Sequence, residues 1–407
     1  MPSLSRRTIL AGLSAAPLAM PALVRAQSTS KPIRMGLLSD MSGPYRDVGG
    51  PGNRLAVEMA IADFGGSVLG RPVETLQADD QNKPDIAAGI AREWIDSQGL
   101  DVMMDGAGSS AGLAIQTVGR EKKRIYLITG PATSDMTGKQ CSPYGVHFCY
   151  DTYAPLAWHR HRFDQGRRRQ LVLHYRRLRL RPRAGARHNR RRASGRGQDP
   201  RFGESPIGNG GFFQLSGAGA GIARQGHGLA NAGTDLQNCI KQAAEFGFNK
   251  TGIRMATLLM AINDIHSLGQ KTCEGLVYTD SFYWDMSDTT RAFAKRWSAK
   301  MNGMVPGLLH AGNYAAATHW LTAVKAAGTT DSDATIAQMK ATPVNDMYNE
   351  DVKIREDGRV MHEMRLWQVK DVAESKYPYD YCKQLAVIPP SEAWRSQVDG
   401  GCPLVKA

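Results

Sequence analysis

Hydroxyl side chains beside the start of a helix can grip an anion. The first N–H groups of a helix have no partner within it, and its dipole favours negative charge there. Two places in this 407-residue chain have that pattern. Ser109-Ser110 follow the apolar run LDVMMDG and precede a helical pattern at 111–123. Ala132-Thr133 follow the apolar run RIYLITG at 124–130. Either place would suit a carboxylate; the plainer roles are a helix cap for Ser110 and a loop residue for Thr133. Asp264 has two equal readings, partner of a cationic amine or cap of the helix that follows it. Tyr45, after Ser42-Gly43-Pro44, either covers a ligand or is an exposed turn aromatic. No H-E-x-x-H, G-x-S-x-G, phosphate loop or zinc spacing occurs, and the hydroxyls have no His/Asp partner in sequence order. The expected chemistry is reversible binding of a small solute, with no enzyme activity, metal or cofactor.

These residues sit at the joints of an alternating pattern. Segments 33–40, 100–106 and 124–130 read as short buried strands. Segments 53–65, 85–99 and 111–123 carry apolar residues at helical spacing. Asp85 reads as an N-cap and Gly99 as a stop. Strand–helix alternation with short turns predicts a doubly wound, mainly parallel α/β domain, whose ligands bind beyond the carboxyl ends of the strands. The rhythm resumes at 229–247 and continues through 313–328 and 333–346. The tail 348–370 predicts two strands joined at Glu356-Asp357-Gly358.

The formal charge of +13 would ordinarily point to nucleic acid. Its distribution argues otherwise. Between Trp158 and Phe202 stand 16 Arg, no Lys and two acids, so this segment alone carries more than the whole net charge. The rest of the chain is close to neutral. At the other end, SRRTILAGLSAAPLAMPALVRAQS has a basic start, an apolar run and small residues before a cut after Ala26. Residues 1–26 therefore read as a secretory signal, with Arg6-Arg7 in the twin-arginine manner. No later segment reaches the roughly 18 uncharged apolar residues of a membrane span. An exported chain permits disulfides, and Cys382 with Cys402 is one candidate pair among the six cysteines.

The stretches IRMGLLSDMSGPY, ADDQNKPDIAAGIAREWID, RIYLITGPATSDMTG, NAGTDLQNCIKQAAEFG and DSFYWDMSDTTRAF occur in this order. Together they resemble the type I periplasmic substrate-binding proteins, within them the branched-chain amino acid (Leu/Ile/Val-binding) group of ABC importers. The resemblance covers about 31–157 and 228–407. It implies two doubly wound α/β lobes joined by three hinge segments, closing on a small amino acid or carboxylate and docking on a membrane permease outside the cytoplasm. Lobe 1 would take 32–152 and 276–346, and lobe 2 would take 153–275 and 347–407. In that family the two hydroxyl loops form the carboxylate clamp, which carries over to Ser110, Ala132 and Thr133, with Ser109 beside them. The second lobe would recognise an ammonium and side chain from loops holding Asn231, Ala232, Asp264 and His266. No tyrosine stands at Ala232, so an aromatic acid or other small carboxylate stays as open as an amino acid. A ligand-sensing ectodomain is a further alternative, without a membrane span or signalling domain to support it.

Within this resemblance the region after YDTYA should supply a strand and helix of the second lobe, and arginines stand there instead. Arg codons of the CGN type, read one base later, become GNN codons for Ala, Gly, Asp, Val or Glu. Trp158 is TGG and His159 begins with C, so the shifted triplet is GGC, glycine. Continued through the segment, permitted codons yield DSWFFITADYAFG, a strand and turn of the expected kind. Residues 158–227 are therefore read as translated from a shifted frame, disrupting the second lobe. The alternative, an arginine-rich nucleic-acid arm, lacks interleaved aromatics and lysine. GAGAGIARQG at 217–226 mimics a dinucleotide fingerprint but falls inside the same stretch.

Overall fold

The computed structural model describes residues 31–106, 108–155, 171–176, 203–205, 226–247 and 254–405. The expected leader at 1–26 and most of 158–227 lie outside the described residues.

Two sheets organise the chain. The first has the order β2-β3-β1-β4-β5-β6. Its strands are β1 (Ile33–Ser39), β2 (Ser67–Val68), β3 (Arg71–Asp79), β4 (Val102–Asp105), β5 (Ile125–Ile128) and β6 (Gly145–His147). All pairings are parallel except that of β2 with β3. β1, β4 and β5 lie inside the sheet with helices packed against them, which is why they are apolar almost throughout rather than alternating. Helices α1 (Pro51–Asp63), α2 (Pro84–Ser97) and α3 (Ser109–Lys122) link them. α2 begins at Pro84 with Lys83 as its N-cap, so Asp85 lies in its first turn. The helix Leu308–Ala327 packs against α1 and buries Trp320, while Trp297 fills the same core from the helix Asp288–Ser298. Truncating either Trp to Ala would cost about 3–5 kcal/mol.

The second sheet has the order β13-β12-β11-β10-β9-β7-β8. These are β7 (Leu171–Arg176), β8 (Gly203–Ser205), β9 (Gly226–Ala232), β10 (Arg254–Leu259), β11 (Val277–Asp280), β12 (Met364–Val369) and β13 (Cys382–Ile388). From β8 to β11 the pairing is parallel, and β12 is antiparallel to both its neighbours. A separate core of Leu236, Ile240, Ile265 and Trp367 lies on it. The chain thus forms two α/β lobes.

Three expectations need correction. The exchanges between lobes were placed at 276 and 346. β11 pairs within the second sheet, however, and Ile354 and Val360 pack in the first core. The crossings therefore follow Asp280 and Val360. The hairpin at Glu356-Asp357-Gly358 keeps its turn, with Gly358 at φ 87° donating to the Arg355 carbonyl at 2.8 Å. A Cβ there would meet the Gly145 carbonyl oxygen at 2.1 Å, so the position requires glycine. Its arms make one bridge, Ile354 to Val360, because Arg359 pairs with His147 and β12 joins β11 and β13. Finally, Cys402 pairs with Cys141, not with Cys382. Cys382 is buried at the start of β13, its sulfur 3.4 Å from the Tyr278 hydroxyl. The tail after β13 leaves the second lobe and is fastened to the loop before β6.

Candidate functional site

A cavity of about 590 Å³ lies where the two sheets present the carboxyl ends of their strands. That is within the range of small-molecule sites. Its lining comes from the segments after β1, β3, β4, β5 and β6 and the start of the helix Leu308–Ala327, and from those after β9, β10 and β11 opposite.

Ser109 and Ser110 line it. α3 begins two residues earlier than its periodicity implies, with Gly108 as N-cap and no side-chain cap. The two serines therefore occupy the first turn, where backbone N–H groups lack helical partners, and their hydroxyls are not spent on capping. The cap role weighed for Ser110 is thus filled by Gly108. Ala132 also lines the cavity, and its carbonyl accepts the Thr152 N–H at 2.7 Å, fixing the loop after β5. Tyr45 lines it from the loop after β1, where its N–H donates to Asp40 Oδ2 at 3.0 Å. A Cβ on Gly233 would come 3.1 Å from the Tyr45 ring, so that ring meets the opposite lobe. Asn231 and Ala232 lie on the lining at the end of β9.

Thr133, Asp264 and His266 are placed elsewhere. Thr133 Oγ1 accepts from the Asp135 N–H at 3.3 Å, capping a short 3-10 turn, and it is not on the lining. Asp264 is fully buried and accepts from the Ala261 N–H at 2.9 Å and from Gln237 Nε2 at 2.8 Å. Burial pushes its carboxyl up to about 6 against those donors. Of its two readings, the geometry fits the cap. His266 is exposed, stacked on Tyr379 at 4.6 Å and bonded to the Tyr381 hydroxyl at 2.9 Å.

The lining also contains polar groups that sequence reasoning missed. Asp105, at the end of β4, accepts Ser39 Oγ at 2.6 Å, Asn53 Nδ2 at 2.8 Å and Thr129 Oγ1 at 3.4 Å. Burial drives its carboxyl up to about 7 in spite of these donors. Asp105 holds a left-handed φ of 71°, a conformation that Asp tolerates better than most residues. Asp280, at the end of β11, accepts the Phe282 N–H at 3.0 Å, and burial raises it to about 8. A strand-end acid next to Gly106 was the available signal for Asp105; nothing local marks Asp280.

Two α/β lobes with a cavity of this size at their facing strand ends, its lining apolar with a few polar groups, define a cleft suited to a small solute. The chain belongs to the periplasmic binding protein family, whose model matches residues 32–171 and 214–376. Known structures carry the comparison further, to type I binding proteins of ABC transporters. A periplasmic binding protein from Burkholderia mallei is 36% identical, with TM-score 0.81 over 92% of this chain and 99% of that one. A branched-chain amino acid ABC transporter ligand-binding protein from Burkholderia xenovorans is 29% identical, with TM-score 0.76 over 91% and 99%. A Rhodopseudomonas palustris solute-binding protein solved with 3,4-dihydroxybenzoic acid is 18% identical, with TM-score 0.72 over 88% and 97%, and shares the fold. No curated protein sequence matches the chain. Among the described residues no helix is long and apolar enough to cross a membrane.

Proposed function

We propose that this binding protein takes up a small carboxylate or amino acid outside the cytoplasm and delivers it to the permease of an ABC importer. Residues 1–26 would direct it across the membrane in the twin-arginine manner. The ligand's acid group rests against Ser109 and Ser110, with Ala132 beside them and Tyr45 closing over it. The observation that carries this is the start of α3, whose first-turn serines face the cavity without capping the helix. The named ligands of related proteins, branched-chain amino acids and hydroxybenzoates, have in common a carboxylate of this size. Titration calorimetry against a panel of amino acids and aromatic acids tests it. One-to-one heat without turnover supports the reading, and silence across the panel contradicts it.

A second reading has its own support. The family model leaves 172–213 unmatched, inside the stretch 158–227 read as frame-shifted. A chain translated there from a shifted frame would be a damaged copy, lacking apolar side chains worth about 1.5–3 kcal/mol each when buried. The nucleotide sequence of codons 155–230 is the direct test. Melting of the 407-residue chain beside a frame-restored version is the functional one. Equal cooperative melts would contradict damage.

A further inference from the structure

The tail after β13 runs across the hinge. The segments after β6, Asp280 and Val360 carry the chain between the lobes, and the tail crosses back from the second sheet to the first lobe. On its way it packs on two of those crossings. Arg359, fully buried beside the last of them, donates from Nη2 to the carbonyls of Phe148 at 3.2 Å and Cys149 at 2.7 Å, just after β6. Its Nε donates to the Val360 carbonyl at 3.2 Å. The guanidinium carbon lies 3.6 Å from the centre of the Trp394 ring, which belongs to the tail. Trp394 Nε1 in turn donates to the His362 carbonyl at 2.8 Å. A buried cation is costly unless its surroundings answer it, and here backbone carbonyls and the electron-rich face of an indole do so. Trp394 also sits in a small core of its own, with Ala154, Met364, Ile388 and Ala393, apart from the cores of the two lobes.

Beyond Trp394 the tail is fixed to the first lobe. The Arg395 carbonyl accepts from Arg355 Nη1 at 2.8 Å, Arg395 Nη2 donates to the Ser134 carbonyl at 2.9 Å, and Cys402 is bonded to Cys141. Its other end is β13, paired with β12 in the second sheet. A segment held in both lobes and packed on the pivot has no freedom to slide. Swinging the lobes apart must unstack Trp394 from Arg359, or stop where the segment draws tight. We propose that residues 389–402 are a hinge strap that limits how far the cleft opens, with Trp394 as its wedge. The strap acts whichever solute the cleft holds.

Hydrogen exchange and small-angle scattering on the ligand-free full chain test it. The Val360 N–H donates to the His147 carbonyl at 3.1 Å and the His147 N–H to the Gly358 carbonyl at 2.8 Å, so these two amides report on the joint between the crossings. In Trp394→Ala, exchange in peptides holding them should accelerate about tenfold more than exchange in peptides from β1, and the radius of gyration should rise. Trp394→Phe keeps a ring over Arg359 and should recover most of the protection. Should Trp394→Ala fail to melt cooperatively, Cys402→Ser carries the same comparison. Hinge exchange that rises no more than that of β1, or an unchanged radius of gyration, would overturn the strap.

Discussion

The backbone N–H of Thr234 donates to the carbonyl of Pro44 at 3.3 Å, joining the start of a second-lobe helix to a first-lobe loop across the mouth of the cavity. The contact depends on its neighbour Gly233, whose φ is 56° and whose missing Cβ would lie 2.2 Å from the same carbonyl oxygen. Gly233→Ala should therefore hold the lobes apart. Ligand affinity should fall about tenfold or more, and small-angle scattering should show a more open liganded form. Unchanged affinity would mean that this approach does not govern closure.

Serine and threonine at the two hydroxyl loops should respond differently. Ser110→Ala removes a donor facing the cavity and should weaken ligand binding by about 1–2 kcal/mol with little effect on melting. Thr133→Ala removes a turn cap and should destabilise the fold by about 0.5–2 kcal/mol with affinity nearly unchanged. Calorimetry and thermal melts on the two variants separate the roles.

Asp280 has a consequence for stability. Its carboxyl is raised from 3.8 to about 8 in the folded chain by burial, so the folded state holds a proton that the unfolded state has released. That contribution is fully present below pH 4 and is lost as pH rises to about 8. Asn at this position does not titrate. The stability of Asp280→Asn relative to the parent should therefore grow between pH 4 and pH 8, by at most about 1.4 kcal/mol per unit. Parallel pH–stability curves from urea unfolding would contradict it.

The Cys141–Cys402 disulfide joins residues 261 apart and holds the tail to the first lobe. Near it, Arg395 donates to the Ser134 carbonyl at 2.9 Å, tying the tail to the loop that follows Ala132. Cys402→Ser, or reduction of the parent, should lower stability by about 2–5 kcal/mol in denaturant unfolding. The absence of any shift on reduction would show that the tail adds nothing.

Much of the fold could be read from local pattern, because buried parallel strands are short apolar runs and the helices between them have their own period. Membership of a sheet is not local. β11 looks like any other strand, and only its partners Arg254–Leu259 and Met364–Val369 place it in the second lobe. On the cavity lining, Ser109, Ser110, Ala132 and Tyr45 could be read from the sequence because strand ends and helix starts announce themselves. Thr133 and Asp264 stand at the same kind of joint, and a capping oxygen has the same sequence signature as a ligand-facing one. Asn53 and Asp105 were missed because they meet across 52 residues with no shared motif.

The central claim is tested most directly by a crystal structure of the chain with the tightest ligand from the calorimetric panel. The account predicts the ligand's carboxylate within hydrogen-bond distance of Ser110 Oγ and the first-turn N–H groups of α3. A carboxylate directed at Asp105 and Asp280, or a ligand bound outside the space between the lobes, would contradict it.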